Sequence, residues 1–173
     1  LYNWLDQGDP DFSVLFKVLA DFDSTIPRDD DGFRFDAGVL AQLAKTEGLL
    51  DYSAEGVAAL VEHGARISGR RDELTARFGR LADVAREAAY LAKKAGKSET
   101  GAAEVRQAVD RGRHRANLPA RRFRKLMTEG TIGVQTSGEV VGQINGLAVI
   151  QSGPLTHGFP NRITATIGAG TAG

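Results

Sequence analysis

The sequence predicts an α+β fold, in which a helical bundle is followed by a partial β-rich domain. From about residue 36 to 129, apolar residues recur at three- and four-residue steps, the spacing of one buried helix face. From residue 131 onward the spacing falls to two, as in strands whose side chains alternate between faces. Glycines and capping residues stand between the periodic runs, where the chain must reverse. These changes divide the chain into 1–35, 36–129 and 130–173.

Residues 1–35 are too short and mixed for a core of their own. Leu1 to Leu5 reads as the end of a helix, Gly8–Pro10 as a turn, and Phe12, Leu15 and Phe16 as a brief helix. Val18 to Phe22 predicts a short buried strand. Asp23 to Gly32, with Pro27 and three consecutive aspartates, predicts a polar connector.

Residues 36–129 predict five helices. Asp36 is read as the cap of the first, with Ala37, Leu40, Leu43 and Ala44 on one face and an end near Gly48. Ser53 caps the second, whose stripe is Val57, Leu60, Val61 and Ala65. The third, from about Asp72 to Ala95, has the clearest period in Leu74, Phe78, Leu81, Ala82, Ala85, Ala88, Ala89 and Ala92. Its alanines permit close helix approach, and Gly96 supplies the stop. Thr100 is read as the cap of the fourth, with Val105, Ala108 and Val109 inward. Asn117, with Pro119 in the first turn, starts a fifth that carries Phe123, Leu126 and Met127 and stops at Gly130.

Residues 130–173 predict strands. Thr131 to Thr136 alternates, Ser137-Gly138 reads as a hairpin turn, and Glu139 to Ile150 as a long strand. Gly142 and Gly146 within it point to a bulge or a close backbone approach. A short loop then leads to a last alternating run, Arg162 to Ile167, and the tail GAGTAG is expected to be disordered.

Composition removes several function classes. With 42% hydrophobic residues the chain can bury a core, yet no apolar run approaches the roughly 18 residues of a membrane span. The absence of Cys excludes disulfides, thiolate metal sites and a thiol nucleophile. No basic segment followed by an apolar run opens the chain, so no secretory signal and a cytoplasmic location are expected. A chain beginning with Leu is expected to be a segment of a longer polypeptide. His63, His114 and His157 lack metal-ligand spacing, so no metal site is expected. The zero net charge conceals a polarity: residues 1–31 hold eight aspartates against Lys17 and Arg28. Residues 106–125 hold seven arginines and Lys125 against Asp110 alone. That basic segment is read as a solvated or inter-subunit helix face in preference to a nucleic-acid contact.

The run GARISGRRDELTARFGRLADVAREAAYLAKKAG, followed by SETGAAEVRQAV, resembles the small helical lid of an AAA+ ATPase. The closing stretch GEVVGQINGLAVIQSG, with HGFPNRITATIG, resembles the first strands of the proteolytic domain of Lon-like ATP-dependent proteases. The opening LYNWLDQGDPDFSVLFKVLADFDSTIPRD is similar to the end of the large ATPase subdomain in Lon-like proteins. The resemblance covers nearly the whole chain, and its specificity lies in the order of the three pieces.

The resemblance implies an ATP-dependent Ser-Lys endopeptidase as the parent, using ATP and Mg2+, acting on unfolded proteins and assembling as a hexameric ring. In that family an arginine after Thr/Ser-x at the start of the long lid helix contacts the γ-phosphate. The matching residues are Thr75-Ala76-Arg77, which makes Arg77 the candidate, with Arg70 or Arg71 as alternative alignments. A guanidinium suits the role because it never loses its charge and grips phosphate oxygens as a fork. No GxxxxGK[ST] phosphate loop occurs in these residues, so tight ATP binding by this segment alone is not expected. The family's nucleophilic serine and its lysine lie beyond Gly173. None of the seven serines here has the nucleophile's context and no lysine follows Lys125, so no catalytic residue is expected in this segment. The alternatives are a helical nucleic-acid-binding module using residues 106–125, and an AAA+ remodelling protein without protease activity.

Overall fold

The computed structural model describes residues 2–152, 155–168 and 170. The readings made for Leu1 and for most of the tail GAGTAG lie outside the described residues.

The chain opens with two short helices, α1 (Tyr2–Gly8) and α2 (Phe12–Leu15), held together where the Tyr2 ring meets Phe12 edge-on at 5.1 Å. Val18 to Phe22 is not the buried strand that its composition predicts. Val18 and Phe22 are 84% and 87% exposed, and among the described residues no strand pairs with this run. Apolar, β-prone residues form a strand only where a ladder partner is available.

The predicted connector instead contains β1 (Thr25–Pro27) and the start of α3 (Asp30–Glu47). Asp29 caps α3 by accepting from the Gly32 amide at 2.8 Å, and Asp30 and Asp31 lie in its first turn, where the helix dipole favours them. The helix therefore begins about two turns before the Asp36 cap read from the sequence, and Asp36 is buried mid-helix. Gly48, at φ 63°, ends α3 as expected, and Ser53 caps α4 (Ala54–Ser68) through the Gly56 amide.

The third predicted helix starts late. Residues 73–75 form β2 (Glu73–Thr75), antiparallel to β1 with Ile26 opposite Leu74, and α5 (Phe78–Lys94) begins only after it. Ser68 stabilises the break, its hydroxyl bonding to the carbonyls of Ala65 and Glu73 at 2.7 and 2.8 Å. Leu74 and Phe78 have helical spacing because a strand, a turn and a helix deliver both to one core. Gly96, at φ 70°, follows α5 as predicted.

Thr100 does not cap the next helix. Its backbone bridges to the preceding loop, donating to the Asp51 carbonyl at 2.7 Å and accepting from Ser53 at 3.1 Å. α6 (Ala102–Ala116) starts after Gly101, whose amide donates to the buried Glu104 carboxylate at 3.2 Å, and Lys97 pairs with the same carboxylate at 2.7 Å. A Cβ on Gly56 would stand 2.4 Å from the Thr100 carbonyl oxygen, so only glycine permits this approach.

The core lies between α3, α4, α5 and α6 and is built from Leu40, Leu60, Leu81, Leu91 and Val105 with Ala85, Ala88 and Ala108. The predicted α5 stripe supplies Leu81, Ala85 and Ala88 of it. Tyr52 reaches across the bundle, its hydroxyl donating to the Ala85 carbonyl at 2.6 Å. Burial pushes the Tyr52 phenol up to about 12. A phenol raised from 10 contributes stability that is complete below pH 10 and lost as pH rises through 12. Tyr52→Phe is expected to lower unfolding stability by about 1 kcal/mol at pH 7 and to remove this alkaline dependence, as read by denaturant titrations across pH.

α7 (Leu118–Thr128) carries Pro119 in its first turn, and Gly130 follows at φ 77°. Thr131 to Thr136 and Ser137-Gly138 form irregular chain, not the predicted strand and hairpin turn. The ribbon is β3 (Gln143–Ser152) against β4 (Leu155–Thr164), paired antiparallel from Gln143 with Thr164 to Ser152 with Leu155. The segment predicted as loop is thus most of β4, and Ala165 to Ile167 lies beyond the strand. Pro160 is tolerated because both strands of a two-stranded ribbon are edges, where a missing N–H need not break a ladder. The close approach expected at the glycines is present. A Cβ on Gly142 would sit 2.7 Å from the Ala165 carbonyl oxygen, and one on Gly146 2.6 Å from Asn161 Oδ1. Phe123 of α7 packs on Phe159 of β4 at 4.3 Å.

Candidate functional site at the start of helix α5

Arg77 sits at the junction of β2 and α5, as the last residue before the helix, and is exposed. Its position is fixed from below. Leu74 and Thr75 are 0% and 1% exposed, and β1 holds β2 by its ladder. The Ala76 amide donates to the Ser24 carbonyl at 2.8 Å. The Arg77 amide donates to Thr75 Oγ1 at 3.1 Å, closing a side-chain turn of the kind Thr forms two residues ahead. A fixed backbone turn thus presents a long cation to solvent.

The first turn of α5 is electrostatically suited to an anion. It contains no acidic residue, and no side chain caps it. The exposed amides and the helix dipole leave partial positive charge there, to which Arg77 and the half-exposed Arg80 add. Among the described residues the Arg77 guanidinium has no hydrogen-bond or ion-pair partner.

Of the alternative arginines, only Arg70 has a side-chain partner among the described residues. Arg70 pairs with Glu73 at 3.0 Å, and the Arg71 carbonyl accepts from Arg28 at 3.2 Å. Thr75 entered the sequence reading as the first residue of the Thr75-Ala76-Arg77 match, and the structure adds the bond by which its hydroxyl sets the Arg77 turn.

Among the described residues no group of three or more His, Asp or Glu could hold a metal ion. His63 is half-buried between α4 and α6, and burial, with Arg113 and Arg66 nearby, holds its pKa below the usual histidine value. The basic segment 106–125 is partly neutralised. Arg111 and Arg115 both pair with Glu87 of α5, Arg113 with Asp110 at 3.7 Å, and Lys125 with Glu129 at 3.5 Å. No helix of the described residues is long and apolar enough to cross a membrane.

Residues 51–115 match the family model described as archaeal LonB, AAA+ ATPase LID domain. The matched span runs from the loop before α4 to the end of α6 and contains Arg77. The chain is also 30% identical over 129 residues to an archaeal Lon protease of Halobacterium salinarum. That similarity takes in 74% of this chain and 18% of the relative's length.

Proposed function

We propose that the chain, whose residues 51–115 match the archaeal LonB lid model, is the part of a Lon-like ATP-dependent endopeptidase that links nucleotide state to the entrance of the proteolytic domain. The observation that carries this reading is Arg77, an exposed guanidinium with no partner among the described residues, on a fixed turn inside the span that matches the lid. Residues 1–35 are then the end of the large ATPase subdomain, 36–129 the lid with its connecting helix, and 130–173 the first strands of the protease domain.

In this reading Arg77 contacts the terminal phosphate of ATP from the lid side. The other phosphate contacts and Mg2+ are supplied by parts of the parent outside these residues, since the chain carries no phosphate loop. Loss of that phosphate removes the anion at the start of α5 and releases the lid, a rotation of one packed unit against another. Peptide hydrolysis falls to a serine and lysine downstream. A lysine can act as the base there only if burial lowers its pKa from about 10.4. The parent is read as a hexameric ring in the cytoplasm that takes up unfolded proteins. The test is degradation of an unfolded polypeptide by the full-length protein. Cleavage that requires hydrolysable ATP is expected, and ATP-independent or absent cleavage overturns the proposal in favour of a remodelling ATPase.

A nucleic-acid interface at 106–125 is the second reading. Arg106, Arg121, Arg122 and Arg124 support it, since among the described residues they are outside the ion pairs. The ties of Arg111 and Arg115 to Glu87 weaken it. No duplex DNA binding is expected at about 0.15 M salt, and binding with a steep salt dependence would favour the interface instead.

A further inference from the structure

The irregular chain 131–142 is fixed over the end of the ribbon where Gln143 pairs with Thr164. At its start the Ile132 amide donates to the Leu126 carbonyl of α7 at 3.1 Å. At its end the Gly142 carbonyl accepts from the Ala165 amide at 2.8 Å. Between them the Asn145 side-chain amide donates to the Gln135 carbonyl. Loop and ribbon border a cavity of about 300 Å³, lined by Gln135, Glu139, Val140, Gln143, Asn145 and Arg162.

The polar side chains of the ribbon converge on that loop. Arg162 lies opposite Asn145 in the ladder, so strand alternation puts Gln143, Asn145 and Arg162 on one face. The Arg162 guanidinium rests on the loop backbone, where a Cβ on Gly133 would stand 3.2 Å from its Nη2. Glu139 and Arg162 line the same cavity, yet among the described residues neither forms an ion pair. Gln135, Gln143 and Asn145 carry carboxamides, which both donate and accept.

We propose that this cavity binds the C-terminal end of a polypeptide, its carboxylate on Arg162 and its last N–H groups on the oxygens of Glu139 and the carboxamides. A guanidinium fork pairs with both oxygens of a carboxylate. Glu139 repels a phosphate and accepts from the N–H groups that a peptide has and an inorganic anion lacks. A volume at the lower end of the roughly 300–1,000 Å³ of small-ligand sites suits a chain end and not a folded domain. The site is independent of phosphate sensing at Arg77, and its test involves neither ATP nor peptide cleavage.

The experiment is an amide-shift NMR titration of this chain with N-acetyl-trialanine, whose C-terminal carboxylate is free. Its C-terminally amidated counterpart, free alanine and inorganic phosphate are the controls. The acid is expected to shift Gly138, Val140 and Asn145, and each control to bind at least about tenfold more weakly, the scale of a hydrogen bond to a charged group. Arg162→Gln is expected to weaken the acid by the same factor. Should Arg162→Gln disturb the ribbon, Glu139→Gln leaves Arg162 in place and is expected to let phosphate shift the same residues. Equal binding of the amidated peptide, of alanine or of phosphate overturns the proposal. So does an absence of shifts, unchanged affinity in folded Arg162→Gln, or exclusion of phosphate by Glu139→Gln.

Discussion

Arg77→Ala in the full-length protein is expected to lower ATP turnover and ATP-dependent degradation roughly tenfold to a hundredfold. That range follows from the ~1.5–3 kcal/mol of a hydrogen bond to a charged group, converted at 1.36 kcal/mol per tenfold. Stability should hardly change, because the side chain is exposed and has no partner among the described residues, a setting where substitutions stay within about 0.5 kcal/mol. Arg77→Lys should recover only part of the loss, since it keeps the charge without the fork. Arg70→Ala, whose guanidinium is held by Glu73 at 3.0 Å, is the matched control and should leave turnover near wild type. Unchanged turnover and degradation in Arg77→Ala would remove this residue as the phosphate sensor.

Leu74→Ala is expected to be the most damaging of the core truncations. Leu74 is 0% exposed, and removing a fully buried leucine side chain costs about 2–5 kcal/mol. In a chain of this size 3 kcal/mol corresponds to a melting-temperature drop of roughly 6–12 °C. The effect should spread to the site, because Leu74 anchors the strand on which the Thr75–Arg77 turn is built. Leu15→Ala, at a residue 73% exposed, should move the melting temperature little in the same calorimetric comparison.

The elements that were legible are those in which local chemistry and tertiary contacts agree. Ser53 caps α4, Gly48, Gly96 and Gly130 stand at helix ends with positive φ, and Pro119 sits in the first turn of α7. The stripe Leu81, Ala85, Ala88 and Ala92 is the buried face of α5. Where the reading failed, a distant partner decided the outcome. Leu74 belongs to a strand because Ile26 lies opposite it, and β4 extends through Gly158 and Pro160 because β3 is there to pair with it. Thr131 to Thr136 has a strand's alternation and no strand partner among the described residues. The cap at Asp29 was obscured by three aspartates in a row, any of which has the right chemistry.

Arg77 was legible through resemblance, and its setting was not. The position of the turn and the Thr75 hydroxyl under its amide depend on β1 and β2, two strands of three residues each. Asp36 shows the converse. Its chemistry is plain in the sequence, but its burial appears only when the bundle closes around it.

The alanine seam of α5 has a mechanical consequence. Ala85, Ala88, Ala89 and Ala92 are at most 3% exposed and have no rotamers to exchange, so that face cannot absorb movement by repacking side chains. The 17 residues of α5 form a rod about 25 Å long, with Arg77 at one end and Gly96 at the other. A push delivered at the arginine end therefore reaches the far end nearly undiminished.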